Sequence, residues 1–165
     1  LLTWLPQLTG LDGIAVKSPA TGIVLPLSAH PDLLYNANVL ALALCIKLQH
    51  GTLTAPFAGH YSACLQSNRR LRFRHSSGLT AQLDLPHSVT NSNGKGMITL
   101  THTDSMVRAG QPVVKLDLQY LQNDNSSCYA VLMLLPHPAI QNVFCAEHYV
   151  EAASDTAIII QLNNK

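Results

Sequence analysis

An all-β domain with few and short helices is the fold class that this sequence predicts, and three observations predict it. Turn residues recur along the whole chain, and the runs between them are short and rich in Val, Ile, Leu and Thr, the pattern of many short strands. No segment sustains a 3.6-residue apolar period for three turns, so no long amphipathic helix is expected. The form x-Pro-x-x-Gly followed by two strand residues occurs twice, at Ser18-Pro19-Ala20-Thr21-Gly22-Ile23-Val24 and at Ala55-Pro56-Phe57-Ala58-Gly59-His60-Tyr61. Each reads as a proline-fixed turn with glycine in an unusual backbone conformation, opening a strand. Two such openings suggest two similar strand-turn units facing one another.

The strands follow in order. Ile23 to Leu27 and Leu42 to Leu48 are apolar runs of strand length, with Pro31 to Val39 between them as the best candidate for one helical turn, capped weakly by Asp32. Leu71 to Arg74 and Leu79 to Leu85 flank Ser76-Ser77-Gly78, which suits a three-residue hairpin loop with glycine in the left-handed position. Asn91 to Gly96 is a polar loop, followed by strands at Met97 to Thr101 and Val113 to Leu118. Ala157 to Leu162 is strand-like and is expected to close the domain.

At 165 residues and 47% hydrophobic, the chain fits one domain with a sizeable core, taken as residues 14 to 165 behind an N-terminal tail of residues 1 to 13. Only 12% of residues are charged and the net charge is +1, which argues against nucleic acid, since binding phosphates needs a concentrated basic field. No apolar run reaches the ~20 residues that span a bilayer. Leu1, Leu2, Trp4, Leu5 and Leu8 make a greasy tail that could touch a membrane surface weakly or pack against the domain. Cys45, Cys64, Cys128 and Cys145 lie far apart in apolar runs and read as buried reduced thiols. Asn125-Ser126-Ser127 has the form of a glycosylation acceptor, which matters only in a secreted protein. The expected location is the cytoplasm.

The arginine-rich hairpin is where residues can be placed most closely. Pairing His75 with Leu79 across the loop sets Phe73 against Ala81 and Leu71 against Leu83 on one face. The other face then pairs Arg74 with Thr80, Arg72 with Gln82 and Arg70 with Asp84. This register separates an apolar face from a polar one, and a slip of one residue would mix them. Arg70, Arg72 and Arg74 form a ladder of like charge, relieved only by Asp84. Such a ladder serves either as a solvated face that discourages edge-to-edge association or as a patch for anions and acidic partners.

Other candidate chemistry is thin. Gly94-Lys95-Gly96 lacks the Gly-x-x-x-x-Gly-Lys-Ser/Thr of a phosphate loop, and no Gly-x-Ser-x-Gly elbow is present. Thr101-His102-Thr103-Asp104 offers two metal ligands where a site needs more, and His137 sits in a rigid loop between two prolines. No metal and no cofactor is expected.

Taken together, the order and spacing of these segments resemble the glucose-type enzyme IIA of the bacterial sugar phosphotransferase system. Ser18 to Gly22 is similar to that family's first strand opening, Pro31-Asp32-Leu33-Leu34-Tyr35 to its Pro-Asp-x-x-Phe, and Leu44-Cys45-Ile46-Lys47 to its Ile-Ala-Ile-Lys. Ala55 to Gly59 resembles its Ala-Pro-x-x-Gly turn, Asn68 the asparagine of its Asn-His, and Val107 to Val113 with Lys115 to Leu118 its closing segments. The resemblance runs from about residue 14 to about residue 135. It implies an antiparallel β-sandwich or flattened barrel of two like motifs. It also implies a chemistry in which one histidine accepts a phosphoryl group from a histidine-containing carrier protein and a second supports it.

Under that resemblance the supporting histidine falls on Arg69 and the acceptor on Asp84. A guanidinium has no lone pair to attack phosphorus, and an acyl phosphate on Asp84 would want a metal to neutralise charge. The expectation is an Arg–Asp pair, worth at most about 1 kcal/mol if exposed, and a domain that binds and regulates rather than carries. Its binding face would be Arg69, Arg70, Leu71, Arg72, Phe73 and Asp84. Its partner would be the carrier protein, a permease domain or a regulated enzyme. One alternative is an active phosphoryl carrier using His75, His87 or Asp84, His87 being placed in a loop after Pro86. Another is a ligand-binding or structural domain that keeps only the fold.

Overall fold

The computed structural model describes residues 2–36, 42–64, 69–91, 94–122 and 128–163. Asn68 and Asn125 to Ser127 lie outside them. The first half runs β1 (Leu2–Leu5), β2 (Ile14–Lys17), β3 (Gly22–Pro26), a 3-10 turn (Leu27–Ala29), α1 (Leu33–Asn36), β4 (Ala43–Leu48), β5 (Thr52–Thr54), β6 (Gly59–Cys64) and β7 (Arg70–Arg74). The second runs β8 (Thr80–Asp84), α2 (His87–Asn91), β9 (Met97–Thr99), β10 (Ser105–Val107), β11 (Pro112–Leu116), α3 (Leu118–Leu121), β12 (Tyr129–Leu134), β13 (Ile140–Ala146), β14 (Tyr149–Val150) and β15 (Thr156–Leu162).

An eight-stranded sheet in the order β10-β6-β7-β8-β12-β4-β3-β14 packs with a four-stranded sheet, β1-β13-β15-β2, and a three-stranded one, β5-β11-β9. Among the described residues, all pairings are antiparallel except β1 with β13. The expected all-β sandwich is the observed one. The N-terminal residues expected as a tail supply β1, and Leu2, Trp4 and Leu8 pack against the core. No helix among the described residues is long and apolar enough to cross a membrane.

The repeated Pro-x-x-Gly turns face one another as expected. The Lys17 amide donates to the Pro56 carbonyl and the Thr54 amide to the Pro19 carbonyl, both at 2.9 Å. The likeness extends further. β3 lies between β4 and β14 as β6 lies between β7 and β10, and β2 pairs with β15 as β5 pairs with β11. The reason for the glycines differs from the expected one, because neither Gly22 nor Gly59 has a positive φ. A Cβ on Gly22 would lie 2.0 Å from the Lys47 carbonyl oxygen, and one on Gly59 would lie 2.0 Å from that of Arg74. Close approach of the neighbouring strand demands glycine here.

The arginine hairpin has the expected register, with Arg70 opposite Asp84, Arg72 opposite Gln82 and the His75 amide bonded to the Leu79 carbonyl at 2.8 Å. Gly78 takes the left-handed turn position at φ +91°. The polar face is not uniformly solvated, however. On β8, Gln82 and Asp84 are buried, because β8 is central and β12 sets Met133 and Val131 beside them. Leu71 and Phe73 point the other way into the main core at 0% and 1% exposure.

β4 and β12 explain the second, smaller core. Their alternate residues Leu44, Ile46, Ala130 and Leu132 enter the main core, while Ala43, Cys45, Val131 and Met133 form a cluster on the outer face with Leu27. The 3-10 turn and α1 cover that cluster, and Tyr35 packs on it. α1 forms at the expected place, with the Asp32 carboxylate accepting from the Leu34 amide at 2.9 Å. Cys45, Cys128 and Cys145 are buried and Cys64 is exposed, so the expectation of four buried thiols fails at Cys64. Burial pushes the thiols of Cys45 and Cys145 up to about 11 and about 12.

Candidate functional site

The outer face of the eight-stranded sheet carries a pocket of about 330 Å³ beside α1. Its walls are the His30–Asp32 loop, Tyr35, Arg69, Leu85 to Ser88, and Cys128, Tyr129 and Val131 at the start of β12. Two of the sequence-expected residues, Arg69 and His87, line it. Asp84 lies behind Tyr35, 2% exposed.

Asp84 accepts three side-chain hydrogen bonds. The Tyr35 hydroxyl donates to Oδ2 at 2.5 Å, while Gln82 Nε2 and Arg70 Nε donate to Oδ1 at 2.9 and 3.2 Å. Arg72 Nε in turn donates to Gln82 Oε1 at 2.9 Å. The carboxylate thus ends a polar chain that crosses β7 and β8. Burial, followed by the Asp84 bond, pushes the Tyr35 phenol above its ordinary value, so Tyr35 stays a donor. The expected Arg–Asp pair forms through Arg70. It is not an exposed pair, because Asp84 is buried even though Arg70 is 40% exposed.

Arg69 does something else. Its backbone is left-handed, at φ +51°, where a non-glycine residue is uncommon. Its carbonyl accepts from the Leu85 amide at 2.8 Å, and its Nη1 donates to the Leu85 carbonyl at 2.6 Å. The side chain is thereby fixed at the pocket wall.

His87 opens α2 rather than sitting in the expected loop, with the Val89 amide bonded to the Pro86 carbonyl at 3.1 Å. Its Nε2 meets Asp32 Oδ2. Because a carboxylate only accepts, Nε2 carries the hydrogen, and a neutral ring keeps its lone pair on Nδ1. Asp32 is held below its ordinary carboxylate value by the Leu34 amide, with His87 adding to the effect. His30 Nδ1 accepts from the Asp32 amide at 3.0 Å, which places the hydrogen of the neutral ring on Nε2. Burial lowers the His30 pKa; Asp32 opposes that, while His87 and Arg69 reinforce it.

His75 is not part of this cluster. Its Nδ1 contacts Ser77, its ring meets the edge of Phe57 at 5.1 Å, and it lines a separate depression with His60 and Arg74. Of the expected binding face, Leu71 and Phe73 are in the core and Asp84 is covered, leaving Arg69, Arg70 and Arg72 within reach of a partner. No group of three or more His, Cys, Asp or Glu side chains that could hold a metal occurs among the described residues.

Sequence reasoning did not single out His30, Tyr129 or the contact of Tyr35 with Asp84. A signal for the last was present. A tyrosine in a motif resembling Pro-Asp-x-x-Phe brings a hydroxyl that needs a partner when buried.

Residues 14–137 match the family described as phosphoenolpyruvate-dependent sugar phosphotransferase system, EIIA 1. The chain belongs to that family. In solved structures, its fold is similar to the glucose permease IIA from Mycoplasma capricolum, with a TM-score of 0.77 over 90% of this chain and 96% of that one, at 17% identity. In this EIIA domain the pocket lies on the outer face of the larger sheet, with polar side chains set among apolar walls. Asp32 on its wall and Asp84 behind Tyr35 both already hold partners.

Proposed function

We propose that this chain is an EIIA-like domain of the sugar phosphotransferase system that acts by binding a protein partner, in a regulatory role, rather than by carrying a phosphoryl group. On this reading Arg69 and Asp84 stand where the family's two histidines would be. The observation that carries it is the state of Asp84, buried and bonded by Tyr35, Gln82 and Arg70. A nucleophile must be reachable, and this carboxylate, 2% exposed and held by three donors, is not. Exposed Leu33 and Leu34 on α1, together with Arg70 and Arg72 on β7, are available to a partner. The partner candidates are the histidine-containing carrier protein, a permease domain or a regulated enzyme, all met in the cytoplasm.

A second reading rests on the Asp32–His87 contact. A carboxylate holding Nε2–H leaves Nδ1 as a nucleophile at the pocket, so His87 is the residue through which the domain would still carry a phosphoryl group. The test is to incubate the chain with phosphoenolpyruvate, the general phosphotransferase enzyme and the carrier protein, then to weigh it intact under mildly alkaline conditions. Unchanged mass with measurable binding to the carrier is the expected result. A gain of one phosphoryl group would reject it, and loss of that gain in His87→Gln would establish the second reading. Unchanged mass without binding to any of the candidate partners would leave a domain that keeps only the fold.

A further inference from the structure

We propose that the pocket walled by Arg69, His30 and His87 is a noncovalent receptor for the phosphate group of a small organic phosphate. The inference rests on the preceding reading, in which the site carries nothing covalently.

Charge accounting points to an anion. Arg70 balances Asp84, and His87 hydrogen-bonds Asp32 and balances it when protonated, whereas the Arg69 guanidinium has no carboxylate within ion-pair distance among the described residues. A half-buried cation without a counter-charge is costly unless something supplies one. Among the described residues only Nη1 is engaged, by the Leu85 carbonyl, so the Nε and Nη2 edge remains as a fork that suits phosphate oxygens. The strained left-handed backbone at Arg69 holds that fork at the wall, and such strain is found where surrounding structure fixes a working side chain.

The neighbours add donors. His30, with its hydrogen on Nε2, is a neutral donor whose titration responds to both Arg69 and His87, so the three lie within electrostatic reach of one another. His87, once protonated, offers Nδ1–H as well. Asp32 also lines the pocket, but its oxygens are engaged by the Leu34 amide and by His87. Apart from Ser88, the rest of the lining, Leu85, Pro86, Tyr129 and Val131 among it, is apolar or aromatic, and about 330 Å³ exceeds what a bare phosphate needs. That combination of one polar end and apolar walls fits an organic body behind the phosphate.

The experiment is a calorimetric titration of the full chain with a hexose 6-phosphate, with inorganic phosphate and with the unphosphorylated hexose. Saturable binding of the hexose phosphate, weaker binding of phosphate and none of the sugar is the expected order. Arg69→Asn, chosen because asparagine tolerates a left-handed backbone, should weaken hexose phosphate binding about tenfold or more. Arg74→Gln, at the separate depression, should leave it unchanged. If none of the phosphates saturates, if the sugar binds as well as its phosphate, or if a folded Arg69→Asn binds like the parent, the proposal is wrong. The mass of the same preparation after exposure to the phosphotransferase components reports separately on the reading beneath it.

Discussion

The two halves of the sandwich agree at one pair of positions and part at another. Gly22 and Gly59 each face a neighbouring carbonyl oxygen at the same 2.0 Å from a would-be Cβ. The loops that close the halves are also equivalent. The Gly110 amide donates to the Ala55 carbonyl as the Ala153 amide donates to the Ser18 carbonyl, at 2.8 and 3.0 Å, and both residues are left-handed. Yet one is glycine and the other alanine. Where backbone presses on backbone, only glycine fits. Where the demand is a dihedral alone, alanine can meet it at a cost of about 1 kcal/mol.

The largest effect should therefore come from Gly59→Ala or Gly22→Ala. Either Cβ would displace a strand of the larger sheet, and the expected loss is about 3 kcal/mol or more, read as a fall in denaturant midpoint. Gly10→Ala is the matched control. It has φ +82° but open space around it, so its loss should be about 1 kcal/mol. Equal losses at Gly10 and Gly59 would break the distinction between close approach and dihedral strain.

Asp84 tests the part of the molecule outside the repeat. Removing it in Asp84→Ala strands Gln82 and the Tyr35 hydroxyl and leaves Arg70 without its partner, for an expected loss of about 3 kcal/mol. Tyr35→Phe removes a single donor and should cost about 1 kcal/mol. Both are measured by denaturant unfolding. If Asp84→Ala costs no more than Tyr35→Phe, the carboxylate is not the hub that the geometry makes it.

The closing loops offer a gain. Ala153→Gly relieves a left-handed alanine at φ +67° and should stabilise by about 1 kcal/mol. Gly110→Ala should destabilise, because its Cβ would also come 3.0 Å from the Ala153 Cβ. Combining the two removes that contact, so the double variant should lose less than the sum of the single changes predicts. Strict additivity would mean that the two loops do not touch in solution.

The sequence exposed the symmetric scaffold better than the site. Turn-forming prolines and glycines mark backbone requirements locally, and the alternation of Leu71 to Arg74 against Leu79 to Leu85 allowed one sensible register. β12 escaped because Tyr129 to Leu134 is a continuous apolar run with both faces covered, which periodicity cannot tell from buried helix. The pocket escaped for a different reason. His30, Asp32, Arg69, His87 and Tyr129 are scattered over a hundred residues, and only the seating of α1 on β8 and β12 brings them together. His87 was named as a candidate, but its contact with Asp32 could not be read from spacing.

His30 carries the smallest predicted effect and the one most particular to the pocket. It packs against the rings of Tyr35 and Tyr129 at 4.7 and 5.5 Å, and it faces Asp32, His87 and Arg69. Burial holds its pKa below the ordinary 6.5, so the folded ring resists a proton that the unfolded chain accepts. The stability His30 contributes is full above 6.5 and falls as pH drops toward the lowered folded value, because in that window the unfolded state binds more protons. Asp32, held below its ordinary value of 3.8, remains charged throughout and does not contribute to the slope. Melting the parent and His30→Gln at about pH 7.5 and about pH 5.5 isolates the effect, since glutamine has no proton to gain in that range. The parent should lose more of its melting temperature on acidification than the variant does. An equal loss would take the pH dependence away from His30, and would mean that His30 is wetter in solution than its packing against the two tyrosines implies.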